Sequence, residues 1–114
     1  MNENILTFGP GSRLTGTLTR PAGISKSTVI LLLNAGVIHR MGPHRINVKL
    51  ARALATQGHT VLRFDLSGQG DSEAADSTLS YDQQAVSDLQ AAMDHVQRLT
   101  SLHSFALVGI CSAA

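Results

Sequence analysis

The chain has 114 residues, 43% of them hydrophobic and 15% charged, and carries a formal net charge of +1 at neutral pH. That balance fits one globular domain, excludes a disordered chain, and offers no electrostatic attraction for nucleic acid or an anionic membrane surface. No apolar run approaches the ~20 residues that span a bilayer, and Met1 to Ile5 lacks the basic and apolar regions of a secretory signal, so a cytoplasmic protein is expected.

Ile5–Phe8 and Leu14–Thr19 read as two short strands joined by Gly9-Pro10-Gly11-Ser12, a run of turn-formers suited to a hairpin. In the second strand Leu14, Gly16 and Leu18 alternate with Thr15, Thr17 and Thr19, the period of a strand with one wetter face. Arg20-Pro21-Ala22-Gly23 breaks it. Thr28–Leu33 is apolar on both faces, which predicts a central strand covered from two sides in a parallel sheet. A loop over 34–42 leads to Pro43, well placed in the first turn of a helix. That helix has Ile46, Leu50, Ala53 and Leu54 on one face and Gly58 as its stop.

Thr60–Phe64 is the next predicted strand, followed by the turn-rich run Asp65 to Ser72. Ser80 and Gln83 form a capping box that opens a second helix, with Val86, Leu89, Met93 and Val96 as its buried stripe. Phe105–Ile110 is the last strand. The order is hairpin, then β-α-β-α-β, which predicts a mostly parallel sheet extended at one edge by an antiparallel hairpin, with a helical layer on each face. Right-handed crossovers to opposite faces require the chain to reverse direction across the sheet. Such a reversal leaves a crevice at the carboxyl ends of the strands.

Three segments fit that crevice. Asn34-Ala35-Gly36 leaves the central strand, Phe64-Asp-Leu-Ser-Gly-Gln-Gly-Asp-Ser72 leaves the next, and Gly109-Ile-Cys-Ser-Ala113 leaves the last. Together they resemble, in order, the oxyanion loop, the D-x-R-G-x-G-x-S turn and the nucleophile elbow of α/β-hydrolases, and they span nearly the whole chain. Residues 34–45, with Leu50-Ala-Arg-Ala-Leu54, are similar to hydrolases associated with exosortase systems. The resemblance implies a three-layer α/β/α sandwich, truncated: one domain over 1–114, corresponding to the part of an α/β-hydrolase that ends at the elbow.

The resemblance further implies Cys111 as the catalytic nucleophile of a hydrolase or acyltransferase acting on an ester, thioester or lactone, as in Cys-elbow relatives such as dienelactone hydrolase. A thiol of pKa about 8.5 needs a neighbouring base or a helix N-terminus to become a thiolate at neutral pH. Ala113, in place of the usual second glycine, departs from the elbow pattern. The oxyanion donors would be the amides of Ser112 and of Gly36 or Val37. His39, Arg40, His44 and Arg45 would line the crevice mouth, as substrate-binding cations for a carboxylate or phosphate or simply as solvated loop charges.

No metal site or cofactor is expected, because no Cys, Asp or Glu lies between or beside the two loop histidines. Asp65 and Asp71 are read as turn-holding residues. A lone cysteine also has a plain reading, a small buried hydrophobe at a strand end. A nucleotide site is excluded, since Gly68-Gln69-Gly70 lacks the third glycine of the dinucleotide fingerprint.

In the α/β-hydrolase order the acid and the histidine follow the nucleophile, and only three residues follow Cys111. His59, His95 and His103 precede it, and none inherits the role by position. The 114-residue chain alone is therefore expected to be inactive, and the alternative is a truncated fragment or binding remnant. The expected partner is a small acyl substrate, with no nucleic acid and no membrane. Self-association through the exposed last strand is a further expectation.

Overall fold

The computed structural model describes residues 1–35, 46–67, 72 and 79–111. They form β1 (Asn2–Phe8), a 3-10 turn (Pro10–Ser12), β2 (Leu14–Arg20), β3 (Thr28–Ala35), α1 (Ile46–Thr56), β4 (Val61–Phe64), α2 (Tyr81–Thr100) and β5 (Ser104–Cys111). The five strands make one sheet in the order β1-β2-β4-β3-β5. β1 and β2 form the predicted antiparallel hairpin, β2 joins β4 antiparallel, and β3 lies parallel to both β4 and β5.

The chain thus steps from β3 to β4 on one side and returns across β3 to β5 on the other. Two cores follow from that reversal. Ala92 and Val96 of α2 pack with Leu18, Val29, Leu31, Leu62 and Phe64 on one face of the sheet. Ala51 of α1 packs with Ile30, Leu32 and Val61 on the other. Alternate residues of β3 and β4 feed the two cores, which is why Val29 to Leu33 are apolar without a break and why Arg63 is the one charged residue of β4, buried on the α1 side.

Local chemistry sets the boundaries. Ser80 Oγ accepts the Gln83 N–H at 3.3 Å and the Gln83 side chain accepts the Ser80 N–H at 3.1 Å, so the capping box forms as the sequence predicts. At the end of α1, Gly58 adopts φ +98°. Its N–H donates to Ala55 O while the His59 N–H reaches back to Leu54 O, the paired closure of a Schellman motif. Gly16 is needed for a different reason. It lies opposite Phe64, and a Cβ there would stand 2.7 Å from the Arg63 carbonyl oxygen, so only a bare backbone lets β2 and β4 meet.

Three expectations about faces need correction. The threonine face of β2 is covered by α1, and Thr17 and Thr19 are buried rather than wet; Thr19 Oγ1 donates to Glu3 Oε2 at 2.9 Å. The buried face of α1 is Asn47, Val48, Ala51 and Ala55, with Leu50 and Leu54 at its border and Ile46 and Ala53 exposed. In α2, Val86 is 66% exposed, and the buried positions are Asp88, Ala92 and Val96. In each case a polar side chain that finds a partner takes a position that apolar counting assigns to a hydrophobe.

Candidate active site at the carboxyl end of the sheet

The parallel strands β4, β3 and β5 end side by side. In the β3–β5 register Ala35 is paired with Cys111, so the two chain segments leave the sheet from adjacent positions, ~4.8 Å apart in the pairing direction. These are the points at which the sequence expects the oxyanion loop and the nucleophile turn to begin. The backbone of Cys111 closes β5. Its side chain lies outside the described residues, as do Gly36, Val37, His39, Arg40, His44, Arg45, Asp71 and Ser112.

The turn after β4 is held from two directions. The Asp65 N–H donates to Thr15 O at 3.1 Å. The Ser72 hydroxyl donates to Asp65 O at 2.6 Å and accepts the Thr15 N–H at 2.9 Å, tying the base of the turn to β2. From α2, Asp88 accepts the Ser67 N–H at 2.7 Å, the Ser67 hydroxyl at 2.8 Å and the Gln84 amide at 2.8 Å. Asp88 is 3% exposed, and these three donors compensate its charge where water does not reach. Asp65, expected to hold this turn, is itself buried and does so through its backbone.

Asp88 is missing from the sequence reading, which names Ser72 only as the last residue of the turn motif. The available signal was an acid inside the apolar stripe of a helix, three residues after Ala85 and four before Ala92.

The three upstream histidines stand elsewhere. His59 and His103 precede β4 and β5, at the amino ends of the parallel strands. His95 stacks on Phe8 of β1, the edge strand opposite β5, with ring centroids 5.5 Å apart. Burial, and then the nearby Arg98 charge, hold its pKa below the usual value. On the α1 face Glu3 bonds Arg52 at 2.9 Å and approaches Arg63 at 3.6 Å. The Arg52 bond is the main cause that lowers its carboxyl pKa. This group braces β1 to α1 and lies away from the carboxyl-end crevice. Among the described residues no group of three or more His, Cys, Asp or Glu could hold a metal ion, and no helix is long and apolar enough to cross a membrane.

A sheet ordered β1-β2-β4-β3-β5, with helices on both faces and a crossover reversal beside β3, defines the α/β-hydrolase class of fold. The family described as serine aminopeptidase, S33, matches residues 34–111, and the chain belongs to that family. No curated protein sequence matches the chain.

Among solved structures it is similar to a serine hydrolase homologue from Coxiella burnetii, with 27% identity and a TM-score of 0.70 over 96% of this chain and 51% of that one. It also resembles a lidless serine hydrolase from Xanthomonas campestris, at 22% identity and a TM-score of 0.67 over 95% of this chain and 50% of that one. A Pyrococcus furiosus esterase shares 18% identity and a TM-score of 0.75 over 95% of this chain and 40% of its own. The chain therefore spans about half the length of such structures or less.

Proposed function

We propose that the chain carries the nucleophile-bearing half of an acyl hydrolase or acyltransferase that acts on an ester, thioester or lactone through Cys111. The observation that supports this reading is the pairing of Ala35 with Cys111 at the carboxyl ends of adjacent strands. In the proposed reaction the Cys111 thiolate attacks the acyl carbonyl carbon. The carbonyl oxygen takes up the negative charge, the bond to the leaving alkoxide or thiolate breaks, and water then hydrolyses the acyl-thioester.

The amides of Ser112 and of Gly36 or Val37 would hold the oxyanion, each such donor lowering the barrier by about 3 kcal/mol. His39, Arg40, His44 and Arg45 would recognise a carboxylate or phosphate on the substrate. The proton-transfer pair is not assigned to any residue of the 114. The second reading is a catalytically inactive truncated fragment or binding remnant of such an enzyme.

Incubation of the full-length protein with p-nitrophenyl acetate, followed by intact-mass measurement, separates the two. The enzyme reading expects one acetyl adduct, located on Cys111 and absent from Cys111→Ala. Nitrophenol release that is undiminished in Cys111→Ala removes the thiol from the mechanism. Neither adduct nor release in the unsubstituted full-length protein favours the remnant.

A further inference from the structure

Asp88 is an acid where helix packing alone calls for a hydrophobe. It lies on the inner face of α2, with Ala92 one turn on in the core and Ala85 partly buried against the same core, and it is 3% exposed. A carboxylate there gives up its water and covers little apolar surface. What it supplies is direction: an apolar contact lets a neighbouring backbone slide, and a set of short charge-assisted hydrogen bonds does not. Both of its oxygens bind one residue. Oδ2 accepts the Ser67 N–H and Oδ1 accepts the Ser67 hydroxyl, while the Gln84 amide, one turn back on α2, donates to Oδ1 and steadies the carboxylate. The helix thus holds Ser67 by main chain and side chain together.

The place of Ser67 decides what that grip affects. β3 lies between β4 and β5, paired with β4 through Leu32 and Arg63 and with β5 through Ala35 and Cys111. Ala35 is three residues past Leu32, and Ser67 is four past Arg63. The chain therefore leaves β3 at Ala35 with the Cys111 backbone on one side and the exit of β4 on the other, and it runs on directly into Gly36 and Val37. Ser72 and the Asp65 backbone fix the exit of β4 to β2, on the side away from β3. Asp88 closes the remaining direction, toward α2.

We infer that Asp88 is a positioning residue for the acyl-transfer site: through Ser67 it holds the exit of β4, the wall against which the Gly36–Val37 segment keeps its place while the oxyanion forms. It touches neither substrate nor reacting atoms. The role presupposes the oxyanion assignment proposed above. An amide donor acts by standing where charge develops, and a displacement of ~1 Å costs up to about a hundredfold in rate. Ground-state binding depends less on that placement, so the loss falls on kcat rather than on KM.

The test uses the full-length protein at a temperature well below the melting of every variant compared, with p-nitrophenyl acetate as substrate and hydrogen exchange over residues 34–37 as a second readout. Asp88→Ala is expected to lower kcat about tenfold or more, to leave KM within about twofold of the parent, and to speed exchange over 34–37. Asp88→Asn, which keeps all three contacts, should restore both readouts. Val96→Ala opens a cavity farther along the same helix; it should lose stability and leave kcat and the 34–37 exchange unchanged. If Asp88→Ala does not fold, Ser67→Ala, which removes the hydroxyl and keeps the amide, carries the test with a kcat loss of about threefold. The assignment is overturned by a folded Asp88→Ala or Ser67→Ala with the parent's kcat, by exchange over 34–37 that Asp88→Ala leaves unchanged, or by a Val96→Ala that loses kcat as far. If the full-length parent releases no nitrophenol, the Cys111 reading fails by itself, and the exchange measurement still decides whether Asp88 holds that segment.

Discussion

Removing the Asp88 carboxylate should loosen the turn after β4 and reduce the stability of the chain, by an amount the geometry allows to be worked out. The carboxylate receives three hydrogen bonds at 2.7–2.8 Å while 3% exposed. Hydrogen bonds to a charged group are each worth ~1.5–3 kcal/mol, but the buried charge also carries a desolvation penalty that Asp88→Ala relieves. Ser67 is only partly buried and can regain water. The net loss for Asp88→Ala is therefore about 2–4 kcal/mol, a large share of the ~5–15 kcal/mol that holds a domain together.

Asp88→Asn is the informative companion. Its amide oxygen can accept the Ser67 N–H, its NH2 can donate to the Ser67 hydroxyl, and the Gln84 amide can turn over to present its oxygen. All three contacts survive without the charge, and the expected loss is ~1 kcal/mol or less. Urea unfolding of both variants, with hydrogen exchange at the Ser67 amide, measures the difference. An Asp88→Ala change within ~0.5 kcal/mol of the parent, or an Asp88→Asn loss equal to that of Asp88→Ala, would refute the reasoning.

His95 gives a prediction in pH. Burial against Phe8, helped by Arg98, lowers its folded pKa below 6.5, so the unfolded chain binds the proton more readily. Its contribution is fully present above pH 6.5 and is lost as the pH falls from there through the lowered folded value. Melting temperatures measured downward from about pH 8 should decline less steeply in His95→Gln than in the parent, and identical profiles would discard this account. The second prediction concerns β5, which lies at the sheet edge and carries no charge or proline from Ser104 to Cys111. Leu107 is 55% exposed and Val108 39%. An uncharged strand is complementary to its own copy, so the concentrated chain should form dimers or larger species that Val108→Lys suppresses. Light scattering that finds a stable monomer at high concentration contradicts this.

The central place of β3 and the two helical layers were legible in the sequence because Thr28 to Leu33 is apolar on both faces, a pattern that burial on two sides accommodates. The helix faces were less legible, for a physical reason. Periodicity counts apolar residues, whereas burial depends on whether a side chain can be satisfied inside. Asn47, Thr17, Thr19 and Asp88 are all buried with partners. Their presence on the inner faces turns the buried stripes of α1 and α2 away from Ile46 and Val86. At the candidate site the sequence located the two strand exits, and the register of Ala35 with Cys111 sets them side by side.

The same topology explains why the two ends of this sheet differ chemically. At the carboxyl end, the turn after β4 is tied at its base to β2 through Ser72 and the Asp65 backbone, and along its side to α2 by bonds to both oxygens of the buried Asp88 carboxylate. Rigid support of that kind suits a crevice in which reacting groups must hold their geometry. At the amino end, α2 has already terminated at Ser101, which takes φ 63° to turn the chain toward β5, and the helix no longer covers the sheet. Arg20 and Thr60 are left beneath that gap with one donor unmet. A sheet crossed by one long helix thus acquires a braced end where the helix begins and an open one where it stops. Lengthening α2 by a turn at Ser101 would be expected to close the second without disturbing the first.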